Sequence, residues 1–228
     1  MEKYSDVLDY LFNSSMKYTY KKRTNYSKGT IDSKILEGNP LDFFLLWLKE
    51  AIDSNLIDEP NAMSLSTISD DGFPKSRIVL LKDFSKKGFT FFTNYKSDKG
   101  KSIKQKEKVG LSFFWPPLER QIIIKGKAKK ISNNLSKKYF YSRPRGSQIA
   151  AVISPQSEEI PDRHFLDERM RKLKSKYKGK IIPMPEYWGG FIVSPIEIEF
   201  WQGRPDRLHD RICFKSLKNE WQAQRLAP

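Results

Sequence analysis

The segment from Phe200 to Arg211 holds three side chains that can carry a positive charge, Arg207, His209 and Arg211, at every second position. If this segment is a β-strand, its pleat sends all three side chains to one face. Such charges are costly to bury without partners. We therefore expect this face to meet an anionic or electron-rich ligand. The chain has one other histidine, His164, which we interpret as a solvated surface residue.

A pair of basic residues, Arg77 and Lys82, brackets an apolar run. In a regular strand their side chains point to opposite faces, because five positions separate them. They would then contact different ligands, unless a bulge brings them together. The alternative is two strand-end charges that reach solvent.

Two further clusters suit a phosphate group. Thr93, Ser97 and Lys99 surround a predicted strand-to-helix junction, where free backbone N–H groups and the helix dipole favour an anion. An ordinary helix cap is the alternative there. The second cluster is a set of three residues spaced by four, Tyr139, Arg143 and Ser147. Pro144 ends the predicted helix after the first two of them. The pattern is consistent with a pocket for a phosphate monoester and also with a basic surface turn.

The composition narrows the class of protein. The chain has 228 residues, a net charge of +15 and 13% aromatic residues. Its 30 lysines are scattered, whereas the 12 arginines are scarce, which favours a solvated lysine-rich surface over a nucleic-acid interface. Cys213 is the single cysteine, so neither an internal disulfide nor a multi-cysteine metal site is expected, and we predict no metal. No apolar run approaches the ~20 residues of a membrane span, and no secretory signal is evident, which predicts a soluble cytoplasmic protein without a membrane partner.

The elements that must position these residues can be read from periodicity and turn signals. We predict a mainly β protein with helices (α+β), built as an antiparallel barrel in one domain over residues 40–228. Residues 1–39 are predicted to form a mobile basic arm with a short helix near Ser5–Leu11. The predicted helices cover 40–55, 98–108, 133–143, a short stretch after Arg145, and 162–176; the predicted strands cover 62–69, 75–82, 89–94, 109–115, 120–131, 187–200, 202–214 and 221–226.

No motif of a hydrolase is present, and the several phosphate-friendly clusters point to a cofactor that carries the chemistry. Nine short motifs occur in register: RIVLLK at 77–82, FTN at 92–94, LERQ at 118–121, SRPR at 142–145, SQ at 147–148, WGGF at 188–191, EFWQG at 199–203, RLHDR at 207–211 and RLAP at 225–228. Together they resemble the pyridoxamine (pyridoxine) 5′-phosphate oxidase family, from about Arg23 to the last residue.

The resemblance implies an FMN-binding split β-barrel that forms a homodimer, with two active sites at the subunit interface. It implies oxidation of pyridoxamine or pyridoxine 5′-phosphate to pyridoxal 5′-phosphate, with dioxygen reduced to hydrogen peroxide. The implied catalytic residues are Arg207 and His209, which lie over the substrate ring. The implied FMN contacts are Arg77, Lys82, Phe92, Thr93, Lys99, Gln121, Gln156, Ser157, Trp201 and Arg211. The implied substrate contacts are Arg23, Tyr26, Lys82, Tyr139, Arg143, Ser147, Arg207 and His209.

One position departs from the family pattern. Asp98 stands where the family usually places an arginine against the FMN phosphate, which predicts weaker FMN retention. Three alternatives stay open: a flavin-binding relative with another substrate or a reductase activity, a basic nucleic-acid-binding barrel, and a catalytically silent carrier of the phosphorylated vitamer.

Overall fold

The computed structural model describes residues 23–218 and 220–228. In this part of the chain, a nine-stranded antiparallel sheet is combined with five α-helices and three short 3-10 turns. The strands are β1 Ala62–Ile68, β2 Pro74–Leu80, β3 Asp83–Ser85, β4 Gly88–Asn94, β5 Lys108–Trp115, β6 Arg120–Lys130, β7 Trp188–Gln202, β8 Asp210–Leu217 and β9 Glu220–Leu226. The helices are α1 Pro40–Asp53, α2 Asp98–Gln105, α3 Asn133–Ser142, α4 Arg145–Ile153 and α5 Arg163–Lys176, and the 3-10 turns are Ser33–Glu37, Pro116–Leu118 and Pro205–Arg207.

The sheet divides at β7, its longest strand. All of β6 pairs with β7, whereas the first part of β7 pairs with β4 on its other side and the second part pairs with β8. The β6–β7 register shifts between Lys125 and Gly126, where a Cβ on Gly126 would lie 2.6 Å from the Ser194 carbonyl oxygen. A glycine is therefore required at this close approach, and the irregularity lets β7 serve two different neighbours.

The core lies between α1 and the concave side of the sheet. Asn39 caps α1 through its side chain, and Pro40 occupies the first turn, as the sequence predicts. Phe44 is fully buried against the rings of Phe84, Phe89 and Phe113. This packing fixes α1 across the sheet and shapes the barrel.

The predicted strand over 202–214 is wrong in its first half. Pro205–Arg207 forms a 3-10 turn in which Asp206 and Arg207 have φ of 55° and 62°, and β8 begins only at Asp210. Proline fixes its own φ and has no N–H for a ladder, so the chain turns at this point. The period-2 face of three cations therefore does not exist, since only Arg211 lies in the strand.

Smaller differences concern helix ends and arm residues. The second predicted helix ends at Gln105 rather than near residue 108, where β5 already begins. In α1, the apolar side chains of Leu45 and Ile52 are 54% and 53% exposed. The helix predicted near Ser5–Leu11 lies outside the described residues. None of the described helices is long and apolar enough to span a membrane.

Candidate cofactor and substrate site

A cavity of about 420 Å³ opens between β2, β4, α2 and the helices α3 and α4. Seven of the residues expected at the site line this cavity: Lys82, Phe92, Thr93, Lys99, Tyr139, Arg143 and Gln156. Its other lining residues are Ile78, Val79, Leu80, Asn94, Ala150, Ala151, Ser154 and Trp188. The tertiary structure thus brings Lys82 and members of both phosphate-friendly clusters of the sequence to one place.

The junction between β4 and α2 forms one wall of the cavity. Ser97 caps α2 as predicted, and its hydroxyl accepts a hydrogen bond from the Gly100 N–H at 3.4 Å. Lys99 is buried, and its ammonium group lies 3.3 Å from the Ser97 hydroxyl. Burial lowers the pKa of Lys99, and the nearby positive charge of Arg77 lowers it further. An anion in the cavity would relieve both effects.

Arg77 lies beside this wall, on β2. Its Nη1 donates to the Thr67 hydroxyl at 2.7 Å and to the Leu65 carbonyl at 3.3 Å, whereas its Nη2 is buried without an acceptor. Burial lowers the pKa of Arg77, and the carboxylate of Asp98 partly opposes this. A buried guanidinium N–H without an acceptor is costly, so this group is prepared for an anionic ligand.

Aromatic rings and Arg143 form the opposite wall. The Phe92 ring stacks on Tyr139 with centroids 3.9 Å apart and on Trp188 at 5.5 Å. The Arg143 guanidinium lies 4.8 Å from the Trp188 ring centroid, and its Nη1 is buried without an acceptor. Burial lowers the pKa of Arg143 and raises that of Tyr139. The wall therefore offers a second unsatisfied cationic donor.

Three expected contact residues lie at or near the rim of the cavity. Gln156 accepts from the Thr93 hydroxyl at 3.3 Å and from the Asn94 N–H at 3.4 Å, which ties the segment after α4 to β4. Ser157 follows it with a φ of 72° and is exposed. Ser147 is not among the lining residues, but it lies one helical turn before Ala150 and Ala151 on α4.

A second group of expected residues surrounds the turn between β7 and β8. The ring of Trp201 lies 4.7 Å from that of His209 and 5.7 Å from that of Tyr26, centroid to centroid. His209 Nδ1 accepts the Arg204 N–H at 3.1 Å, which fixes the imidazole as the tautomer with its proton on Nε2. Burial, followed by the charge of Arg207, lowers the pKa of His209. Both effects favour the neutral form of the ring.

The remaining residues of this group differ in how far they are free to bind a ligand. Arg211 donates to both carboxylate oxygens of Glu199, at 2.8 and 3.1 Å, and to the Ala227 carbonyl at 2.8 Å. These three bonds leave two of its five N–H donors available. Gln121 lies opposite Trp201 in the pairing of β6 with β7. The side chains of Arg207 and Arg23 are exposed.

The two groups do not meet within one chain, because none of the second group lines the cavity. Sequence reasoning also missed the role of two residues that hold the second group in place, Gln202 and Asp210. Gln202 is fully buried and donates to the carbonyls of Leu118 and Glu119, while Asp210 accepts from Arg204 and Arg225. Their signal in the sequence was weak, because polar residues inside a strand pattern usually indicate its solvent face.

The chemistry of the donor set fits FMN and a phosphorylated substrate. The cavity and its edge hold four cationic side chains, Arg77, Lys82, Lys99 and Arg143, and two of these carry a buried N–H without an acceptor. Such donors match phosphate oxygens. Within the described residues, no group of three or more histidine, cysteine or acidic side chains is placed to hold a metal.

Comparisons with known proteins agree with this geometry. Residues 48–177 match the family described as "Pyridoxamine 5'-phosphate oxidase", and residues 188–228 match "Pyridoxine 5'-phosphate oxidase C-terminal dimerisation region". The pyridoxine/pyridoxamine 5'-phosphate oxidase of Flavobacterium johnsoniae is 52% identical over 209 residues, which cover 90% of this chain and 98% of that protein. The enzyme of the same name from Leptospira interrogans serovar Lai is 47% identical over 207 residues, which cover 90% and 96%.

Solved structures show the same fold. PhzG from Burkholderia lata, determined in complex with tetrahydrophenazine-1-carboxylic acid, superposes with a TM-score of 0.82 at 26% identity and covers 89% of this chain and 100% of its own. A pyridoxamine 5'-phosphate oxidase-related, FMN-binding protein from Nostoc punctiforme superposes with a TM-score of 0.66 at 14% identity, with 84% and 99% covered. The predicted α+β split barrel is confirmed, and the chain belongs to the pyridoxamine 5'-phosphate oxidase family.

Proposed function

We propose that this chain is an FMN-dependent oxidase that converts pyridoxamine or pyridoxine 5'-phosphate to pyridoxal 5'-phosphate and reduces dioxygen to hydrogen peroxide. The observation that carries the proposal is the pair of buried, unpartnered guanidinium N–H groups beside one cationic cavity. Two separate anions, one on the cofactor and one on the substrate, satisfy them. Family membership and relatives that share about half of their residues with this chain support the same activity.

The FMN phosphate is assigned to the side of the cavity near α2. Arg77 and Lys99 supply charge, and Thr93 and the first N–H groups of α2 supply further donors. Gln156 is already hydrogen-bonded to this wall, and Ser157 follows it. When bound, FMN supplies hydride acceptance from the substrate and transfer of the electrons to dioxygen.

The substrate phosphate is assigned to the opposite wall. Arg143 supplies the guanidinium, Tyr139 a phenol whose raised pKa keeps it protonated, and Lys82 a second charge. Ser147, at the start of α4, completes the set. These residues orient the substrate, and the stacked rings of Phe92 and Trp188 exclude water from this side of the cavity.

The ring-binding residues are supplied by a second subunit in this proposal. Arg207, His209 and Trp201 do not line the cavity of their own chain, and they lie in the segment that matches a dimerisation region. A homodimer would bring this group over the cavity of its partner, with Gln121, Arg211 and Tyr26 beside it. The neutral His209 then contacts the substrate ring through Nε2–H, while Arg207 supplies positive charge.

The test combines colour, mass and turnover. The purified protein is expected to be yellow, to sediment as a dimer, and to release hydrogen peroxide and pyridoxal 5'-phosphate when either substrate is added in air. A flavin-containing dimer that oxidises neither substrate would overturn the proposal in favour of another substrate. Binding of substrate without any flavin would instead indicate a carrier.

A further inference from the structure

Residues 23–32, called the N-terminal strap below, run across the turn that follows β7. Glu119 is 6% exposed beneath this strap. A single carboxylate oxygen, Oε2, accepts the N–H of Ser27 at 2.8 Å and the N–H of Lys28 at 2.9 Å. A buried carboxylate that accepts two backbone donors makes strong, charge-assisted hydrogen bonds, so the strap is anchored at this point.

The backbone of Glu119 binds the turn itself. Its carbonyl oxygen accepts the Gly203 N–H at 2.7 Å and the Gln202 side-chain amide at 3.2 Å. Glu119 also has a φ of 55°, a conformation that a residue with a Cβ adopts only where its surroundings hold it. Glu119 thus joins the strap, whose Lys28 lies 91 positions before it, to the turn after β7, whose Gln202 lies 83 positions after it.

The contact matters because Tyr26 directly precedes the anchored Ser27. Its ring lies against Gly203, where an added Cβ would come within 2.7 Å of Tyr26 Cγ. The same ring meets Trp201 edge-on and lies 5.6 Å from the ring of His209, centroid to centroid. The position of Tyr26 over these two rings therefore depends on the anchor beside it.

A second anchor holds the far end of the strap. Asp210 accepts the Ile31 N–H at 3.1 Å, and Arg225 donates to the Ile31 carbonyl at 3.2 Å. Between Ile31 and the Glu119 anchor the strap is fixed at both ends. Loss of the Glu119 contact would free the end that carries Tyr26 and leave the Asp210 end attached.

We propose that Glu119 is a positioning residue, which anchors the N-terminal strap so that Tyr26 is held against Trp201 and His209 when substrate binds. The inference rests on the proposed function for its effect on turnover. Its effect on the strap is independent of that function. In this proposal, the glutamate of the 118–121 motif acts through Tyr26 and does not contact the substrate.

The first test reads the strap directly, in the FMN-loaded protein. Trypsin cleavage after Lys28, followed by mass spectrometry, should be about 10- to 100-fold faster in Glu119→Ala than in the wild type, because two charge-assisted bonds are lost. Glu119→Gln keeps an oxygen acceptor and should give an intermediate rate. Glu107→Gln is the matched control: it removes the same charge from an exposed pair with Lys127 and should leave the rate unchanged. A wild-type cleavage rate in Glu119→Ala would overturn the proposal.

The second test separates positioning from general damage. In Glu119→Ala we expect KM for pyridoxamine 5'-phosphate to rise about tenfold while kcat changes less than about threefold. In a Tyr26→Ala background the same substitution should change KM less than about twofold, because the residue that it positions is gone. Independent, additive effects of the two substitutions on KM would refute the role.

The two proposals fail in different ways. If the wild-type protein oxidises neither substrate, the proposed function fails while the trypsin comparison still decides the anchor. If turnover is normal and cleavage after Lys28 is insensitive to Glu119, the anchor fails alone. If Glu119→Ala does not fold, the comparison of Glu119→Gln with Glu107→Gln decides, and equal cleavage rates in those two variants contradict the proposal.

Discussion

Two arginines that flank Pro144 offer a sharp test, because the structure gives them opposite tasks. Arg143 has a buried N–H without an acceptor at the cavity, whereas Arg145 donates to the carbonyls of Tyr177 and Lys180. We therefore expect Arg143→Met to impair substrate binding without loss of stability. We expect Arg145→Met to lower stability without impairing binding.

The magnitudes follow from the contacts. A charged hydrogen bond to phosphate contributes about 1.5–3 kcal/mol, and neighbouring Lys82 and Tyr139 remain in the variant. Arg143→Met should thus lower kcat/KM by about 10- to 150-fold, mostly through KM. Removal of an unsatisfied buried donor gains about 1–3 kcal/mol, which offsets the lost contact with the Trp188 ring of about 0.5–2 kcal/mol. The free energy of unfolding should therefore stay within about 1 kcal/mol of the wild-type value.

The assay uses FMN-loaded protein without substrate for urea unfolding, and steady-state peroxide release for kinetics. Arg145→Met should lower the free energy of unfolding by about 1 kcal/mol, since its two hydrogen bonds to the segment after α5 are lost, and should leave KM unchanged. The reasoning is refuted if Arg143→Met keeps a wild-type KM, or if it destabilises the protein more than Arg145→Met does.

Three further outcomes are expected at other positions. Asp98→Arg should tighten FMN binding about 3- to 30-fold in a fluorescence titration of apo-protein. The gain is modest because Lys75 already pairs with Asp98 and holds the pKa of that carboxyl low. An unchanged affinity would contradict the prediction that Asp98 weakens FMN binding. The pKa of His209 is lowered in the folded protein, so its neutral form contributes stability above the unfolded-state pKa near 6.5. This stability is lost as the pH falls through the folded-state pKa. We expect kcat/KM to decrease over the same acid range, and an NMR titration of the imidazole to follow the same curve. Arg207→Ala should lower kcat by orders of magnitude with FMN still bound, and near-normal turnover would exclude its role.

Local pattern was sufficient where one segment decides its own structure. The Asn39–Pro40 start of α1, the Ser97 cap of α2 and the Ser132 cap of α3 depend on side chains within three residues of the backbone groups that they bind. The alternation of β1 likewise predicts which of its residues are buried. The nine motifs likewise indicated the family from the sequence alone, because such a resemblance compares only the identity and order of residues.

Contacts between distant segments decided the rest. Periodicity suggested a continuous strand through Arg207, but Pro205 and the left-handed residues after it turn the chain, and the cationic face disappears. The buried state of Lys99 depends on α2 packing beside β1. The two hydrogen bonds of Glu119 to the strap span more than 90 residues. The sequence by itself determined which residues carry charge and where helices begin. Tertiary structure alone decided which of those charges lie buried without an acceptor, because burial is set by packing between distant segments.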